Sequence, residues 1–120
     1  MSSMVDNNSG AFEGSSQVEQ DLVLSIRERR IVRLRYDLDI RDRVFEPYVL
    51  FKDSQGRLMV GGRRVLDEND LLKPPAMRQF SVELINALEV TEETFEVDDR
   101  FDSRNLPLSN EIFEAVDQQR

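Results

Sequence analysis

The stretch IVRLRYDLDIRDRVFEPYVLF, residues 31–51, decides the fold. Apolar and charged residues alternate over 32–36, so one face of this run is apolar and the other carries arginine, as in a half-buried strand. A polar turn over 37–42 then leads into a second strand over 43–51. Pro47 lacks a backbone donor, which predicts a bulge or a sheet edge within that strand.

The residues before this stretch predict a helix over 17–29. Ser16 precedes Glu19 by three residues, which is the spacing of a capping box at a helix start. Four apolar residues then lie on one helical face: Val18, Leu22, Val23 and Ile26. The hydrophobic period changes from helical to alternating at residue 31, so the helix is expected to pass directly into the first strand.

The residues after this stretch predict three more strands, over 57–62, 77–82 and 87–91, with a polar loop at 64–76. Ser109 or Asn110 is expected to cap a short C-terminal helix with the apolar positions Ile112, Phe113 and Val116. The predicted fold is mainly β, with about five antiparallel strands in a small, strongly bent sheet that partly closes into a barrel.

Composition and charge together predict three parts of the chain. Residues 1–16, rich in Ser, Asn and Gly, predict a flexible N-terminal arm, residues 17–95 the folded domain, and residues 96–120 an acidic C-terminal extension. The net charge is −8, but residues 27–80 carry 13 basic and nine acidic side chains. Residues 81–120 carry only three basic side chains against 11 acidic ones. Because a basic middle lies beside an acidic end, the negative net charge of the chain does not exclude an anionic ligand.

The composition argues against most enzyme classes. The 120 residues contain no cysteine and no histidine, which removes thiol nucleophiles, disulfides, the usual general base and the commonest metal ligands. The sequence therefore predicts a non-enzymatic protein with no catalytic residues, no cofactor and no metal site. No apolar run approaches the ~18 residues of a membrane span, and residues 1–16 do not form a secretory signal. A cytoplasmic protein with no membrane partner is expected.

The order of four segments resembles the WYL domain family. The segments are RLRY at 33–36, RVFEPYVL at 43–50, GRLMVGG at 56–62 and RQF at 78–80, and the resemblance covers residues 18–95. It implies an Sm-like, SH3-type β-barrel preceded by a helix. It also implies a regulatory role, since WYL proteins are mostly bacterial regulators that sense a ligand, in some members a nucleic acid or nucleotide.

The chain departs from the family pattern at two places. The Trp-Tyr-Leu run that names the family is absent, and Leu58-Met59-Val60 or Arg57-Leu58-Met59 stands in its place. Two cations that the family pattern places after Phe80 are replaced by Ser81 and Leu84. With 16 residues before the first helix, the resemblance predicts a diverged, stand-alone member without a DNA-binding helix-turn-helix domain.

Four arginines on two predicted neighbouring strands form the candidate anion-binding site: Arg57, Arg63, Arg64 and Arg78. Guanidinium groups hold phosphate or carboxylate through paired hydrogen bonds, and Arg78 is the best single candidate. The alternative is that these arginines are solvated or pair with the acids of the adjacent loop, 67–70. We also expect the acidic segment 92–102 to lie near this basic face and to compete for it.

Three kinds of partner remain open from the sequence. The preferred hypothesis is an anionic small ligand or an acidic protein segment, bound by the four arginines. The second is a structural subunit that binds a protein or a second copy of itself through sheet edges and Ile112, Phe113 and Val116. The third is weak nucleic-acid binding through the arginines of residues 27–43, although a solvated strand face explains that run better.

Overall fold

The computed structural model describes residues 16–107 and 110–118. One helix precedes six strands: α1 Gln17–Glu28, β1 Arg30–Tyr36, β2 Arg43–Lys52, β3 Leu58–Asp67, β4 Ala76–Ser81, β5 Ile85–Thr94 and β6 Glu111–Ala115. Short 3-10 turns occupy Val82–Leu84, Ser103–Asn105 and Val116–Gln118. The predicted arm, residues 1–16, lies outside the described residues apart from Ser16.

The strands form one antiparallel sheet in the order β4-β3-β2-β1-β5, with β6 beside β2. β3 pairs with β2 along its whole length. On the opposite flank of β2, β1 pairs with residues 43–45 and β6 with residues 49–52. β2 is therefore the central strand, and it has three neighbours.

The sheet does not close into the predicted barrel. β4 leads through the turn Val82–Leu84 to β5, and β5 pairs with β1 instead of returning to β4. The amide of Ser81 donates to the Tyr36 hydroxyl at 2.9 Å, so a side chain satisfies this end of β4. Within residues 16–107 and 110–118, β4 and β5 are the two end strands of an open sheet, and β6 is a further edge strand because it pairs with β2 alone.

The prediction of a short C-terminal helix is wrong, and residues 16–107 and 110–118 contain six strands rather than about five. Ser109, one of the two predicted caps, lies outside the described residues. Glu111–Ala115 forms β6, and a 3-10 turn follows it. Ile112 and Val116 are four residues apart, which fits a helix, but pairing with β2 gives this backbone a hydrogen-bonding partner strand. The strand also places Ala115 and Val116 in the core, each 1% exposed.

The predicted N-terminal helix is confirmed. The Ser16 hydroxyl accepts from the Glu19 amide at 3.2 Å, as the capping spacing indicates. Arg29 ends the helix in the left-handed conformation, with φ of 55°, and the chain enters β1 at the next residue. Leu22 and Ile26 are fully buried against the sheet. No helix among the described residues is long and apolar enough to span a bilayer.

Two apolar clusters lie on opposite faces of β2. Tyr48 and Leu50 belong to the main core with α1, whereas Val49 and Phe51 belong to a second cluster with Ala115. This separation follows from the alternation of side chains along a strand. The second cluster is covered by partly buried side chains: Met59, Phe101, Leu106 and Ile112.

The bulge predicted around Pro47 lies in the β2–β3 pair. Pro47 pairs with Gly62 and Val49 with Gly61, so Tyr48 is the extra residue that opposes none. The bulge brings Tyr48 and the two glycines together beside the groove described below.

Candidate ligand-binding groove

A groove with a volume of about 820 Å³ lies between the sheet and the chain after β5. We call it the Arg78 groove. The sheet contributes residues of β2, β3 and β4: Tyr48, Val49, Gly61, Gly62, Met77, Arg78 and Gln79. The segment that follows β5 contributes Asp98, Arg100, Phe101, Asp102, Asn105 and Leu106. The groove therefore combines an apolar lining with several polar groups, as ligand sites do.

Arg78 is the cation of the groove without an acidic partner. It lies on the edge strand β4 and is exposed. Its guanidinium donates to the Met77 carbonyl at 2.9 Å, and no carboxylate within residues 16–107 or 110–118 forms an ion pair with it. Most of its hydrogen-bonding capacity is therefore available to a bound anion.

The second arginine of the groove is neutralised locally. The Arg100 guanidinium donates to both carboxylate oxygens of Asp98, at 3.1 and 2.8 Å. The hydrogen bonds from the Arg100 side chain and amide, with a weaker field from Arg63, lower the pKa of Asp98 to about 2. Asp98 thus stays ionised at neutral pH and offsets the charge of Arg100.

The segment after β5 is anchored on Tyr48. Phe95 stacks on the Tyr48 ring with centroids 5.5 Å apart, and Phe101 meets the same ring edge-on at 4.9 Å. The Asp98 amide donates to the Tyr48 hydroxyl at 3.0 Å. These contacts hold one side of the Arg78 groove against the sheet.

The other three predicted site arginines lie outside the groove. Arg57 pairs with Asp53 at 2.9 Å in the β2–β3 turn, and Arg63 lies 3.9 Å from Glu46. Arg64 is 1% exposed. Its guanidinium donates to the Pro74 carbonyl at 2.6 Å.

The four arginines therefore do not share one cluster. Arg57 precedes β3 by one residue, and Arg64 lies near its other end. Seven residues of extended chain separate them, roughly 23 Å. Of the four predicted arginines, Arg78 alone lines the groove.

The sequence interpretation missed the polar residues that share the groove with Arg78. Gln79 directly follows Arg78 in the sequence and lies on the same predicted strand. Asn105 and Asp102 come from a segment without a hydrophobic period. Aromatic spacing was the usable signal for that segment, because Phe95 and Phe101 are the residues that dock it on Tyr48. The acidic segment 92–102 was expected to lie near the basic face of the four arginines and to compete for it. Asp98 and Asp102 line the same groove as Arg78, but they pair with Arg100 and Arg104 and not with Arg78.

The arginines of residues 27–43 are mostly paired within the chain. Arg33 on β1 donates hydrogen bonds to Asp42 and Glu68, which lie outside this strand, and these bonds raise the pKa of its guanidinium. Four further arginines form ion pairs with carboxylates: Arg27 with Glu114 at 3.2 Å, Arg30 with Glu28 at 2.8 Å, Arg35 with Asp42 at 2.8 Å and Arg43 with Asp39 at 2.8 Å. A polyanion would have to compete with these carboxylates.

The fold of the described residues, a helix followed by a small antiparallel sheet, has a counterpart among solved structures. No family model matches the chain, and no curated protein does. Among solved structures, the chain is similar to Proteasome accessory factor B/C (PafBC) of Arthrobacter aurescens, with 22% identity and a TM-score of 0.56. The match covers 73% of this chain and 14% of that one. PafBC contains WYL domains, and at this identity the likeness supports the fold alone.

Proposed function

We propose that the chain is a non-enzymatic, WYL-like regulatory module that senses a small organic anion bound in the Arg78 groove. The observation that carries this proposal is the position of Arg78, which lines a groove of about 820 Å³ and has no carboxylate partner in the described residues. The likeness in fold to PafBC and the sequence resemblance to WYL regulators support a sensing role. The absence of histidine and cysteine favours binding over catalysis.

The lining of the groove defines the ligand chemistry. One cation suits one carboxylate or a comparable monoanion, held by paired hydrogen bonds. Met77, Val49 and Leu106 offer apolar contact to the body of such a molecule. Asp98 pairs with Arg100 and Asp102 with Arg104, so among the described residues that line the groove only Arg78 is left to bind anionic charge, which suits a polyanion poorly. We therefore propose a monoanion with an apolar body and give nucleic acid the lower rank.

Titration with octanoate, followed by ¹H–¹⁵N correlation NMR of the full chain, tests where such a ligand binds. We expect the largest shifts at Arg78 and Gln79, including their side-chain signals, because these groups line the groove. Octanol is the matched control, since it keeps the chain length and lacks the charge. It is expected to bind more weakly, because a charged hydrogen bond to Arg78 is lost.

Two results would contradict the proposal. Shifts confined to residues outside the groove would place octanoate elsewhere. Equal affinity for octanol and octanoate would show that Arg78 contributes nothing to recognition of the anion.

A further inference from the structure

Exposed aliphatic side chains are concentrated on two loops at one end of the sheet. Leu38 and Ile40 lie between β1 and β2, and Leu71 and Leu72 lie between β3 and β4. Their exposed fractions are 89%, 81%, 69% and 94% respectively. We call these four residues the leucine end. Single exposed leucines are ordinary, whereas a group of four on adjoining loops marks an interaction surface.

Asn69 joins the two loops into one surface. Its side-chain oxygen accepts from the amides of Ile40 and Arg41, at 3.2 and 2.9 Å, and its side-chain nitrogen donates to the Arg41 carbonyl at 3.0 Å. The Glu68 amide also donates to the Asp42 carbonyl at 3.0 Å. Each loop thus fixes the position of the other.

Local hydrogen bonds hold the leucines in ordered turns. The Leu72 amide donates to the Asp70 carboxylate at 3.2 Å, and the Asp39 amide donates to the Tyr36 carbonyl at 2.9 Å. The Asp37 amide donates to the Leu84 carbonyl at 2.8 Å, which ties the first loop to the turn before β5. The apolar side chains are therefore presented to solvent by a preorganised backbone, which lowers the entropy cost of binding.

The charges around the leucine end are largely neutralised by one another. Arg43 makes two hydrogen bonds to Asp39, at 2.8 and 3.0 Å. Arg33 pairs with Asp42 at 3.1 Å and with Glu68 at 2.5 Å. Residues 33–43 and 66–73 together contain five basic and six acidic side chains. This end of the molecule therefore presents four exposed aliphatic side chains and has a net charge close to zero.

We propose that the leucine end binds a second copy of this chain in a two-fold symmetric dimer. A two-fold interface places the same patch on both subunits, and an apolar patch is complementary to itself. Each copy has a net charge of −8, and residues 81–120 carry most of it, so two copies repel each other there. The near-neutral leucine end adds little to that repulsion.

The charge pattern also ranks other occupants lower. An anionic membrane or a nucleic acid requires several unpaired cations. Arg33, Arg35 and Arg43 pair with carboxylates, so Arg41 is the arginine of residues 33–43 that has no ion pair among the described residues. A standard interface buries about 800 Å² on each partner, which four aliphatic side chains with a polar rim supply only in part. The expected dimer is therefore weak and depends on concentration.

Sedimentation velocity of the full chain over a range of concentrations tests this proposal. We expect the wild type to shift from monomer to dimer as concentration rises. The double variant Leu38→Asn/Leu72→Asn is expected to remain a monomer, because both side chains are almost fully exposed and each of the two loops loses one of them. Leu24→Asn is the matched control on α1, where Leu24 is 42% exposed, and it should dimerise as the wild type does.

Three outcomes would overturn the proposal. The wild type could stay monomeric throughout the series, or the double variant could dimerise as well as the wild type does. Flotation of monomeric wild type with phosphatidylcholine vesicles, abolished by the double substitution, would identify a lipid surface as the occupant instead. Circular dichroism melts of all variants, expected to match the wild type, show that a lost dimer is not a lost fold.

Discussion

At the scale of single residues, Gly62 shows how closely β2 and β3 approach beside the groove. A Cβ atom on Gly62 would lie 2.0 Å from the Glu46 carbonyl oxygen and 2.9 Å from Cζ of Phe45. A Cβ atom on Gly61 would meet the Val49 methyl at 3.4 Å, an ordinary contact. The bulge at Tyr48 therefore requires glycine at position 62 for space and accepts a side chain at 61.

We predict that Gly62→Ala destabilises the fold by about 2–3 kcal/mol, because the backbone must move to relieve the clash. Gly61→Ala, the neighbouring control, should change stability by less than about 1 kcal/mol. Urea unfolding followed by circular dichroism measures both. Equal stability of the two variants would show that the β2–β3 pair is looser than described.

Glu46 is a second residue whose environment has a measurable consequence. It is 8% exposed, and Arg63 lies 3.9 Å away. Burial raises the pKa of Glu46 above its ordinary 4.5, and the field of Arg63 opposes that shift only in part. The folded state therefore favours the protonated acid, and this favourable contribution is lost as pH rises through the pKa of the folded state.

We predict that Glu46→Gln stabilises the protein progressively, relative to wild type, as pH rises from about 4 to 7. The amide mimics the protonated acid, so the two proteins should be most alike at low pH. Thermal melts across that range measure the difference in Tm. Glu83→Gln removes an exposed negative charge and reports the effect of net charge alone. A Tm difference for Glu46→Gln that is constant with pH would contradict the prediction.

At the scale of elements, the sequence predicted the helix and the strands whose hydrophobic period can be seen within the element itself. α1, the hairpin of β1 and β2, and the positions of β3, β4 and β5 followed from alternation and turn residues. β3 was predicted to end at residue 62, but it continues to Asp67. Arg64 and Asp67, each 1% exposed, explain this error, because buried charged residues look like loop residues in a sequence.

β6 illustrates the limit of local reasoning most clearly. Residues 111–118 carry a pattern that fits a helix, and pairing with residues 49–52 of β2 decides the outcome. Those partners are some 60 residues away, so no local period reports them. The same limit applies to the groove. Arg78 was identified from the sequence, whereas the segment opposite it is positioned by Tyr48.

Asn69 provides a test of how the loops of two hairpins are joined. We predict that Asn69→Ala lowers stability by about 1 kcal/mol, since hydrogen bonds at an exposed side chain are lost. Amide exchange at Ile40 and Arg41 should accelerate, because both amides lose their acceptor. Gln55→Ala in the β2–β3 turn is the control and should leave these two amides unchanged. Unaltered protection in Asn69→Ala would show that the loops are held by other contacts.

At the scale of the whole molecule, the net charge of −8 is the sum of unlike parts. Carboxylates pair with most of the basic side chains of β1 and its neighbours, and the acidic segment after β5 neutralises its own arginines. Arg78 remains as an exposed cation beside a groove with apolar lining. This distribution favours recognition of a small anion over that of a polyanion.

Calorimetric titration of octanoate into three proteins tests that recognition most directly. The proteins are the wild type, Arg78→Gln and Arg57→Gln, and the two variants lose the same charge at different places. Arg78→Gln is predicted to bind about tenfold to a hundredfold more weakly, because a charged hydrogen bond contributes roughly 1.5–3 kcal/mol. Arg57→Gln, whose side chain pairs with Asp53 away from the groove, is predicted to match the wild type. Undiminished affinity in Arg78→Gln would contradict the proposed function.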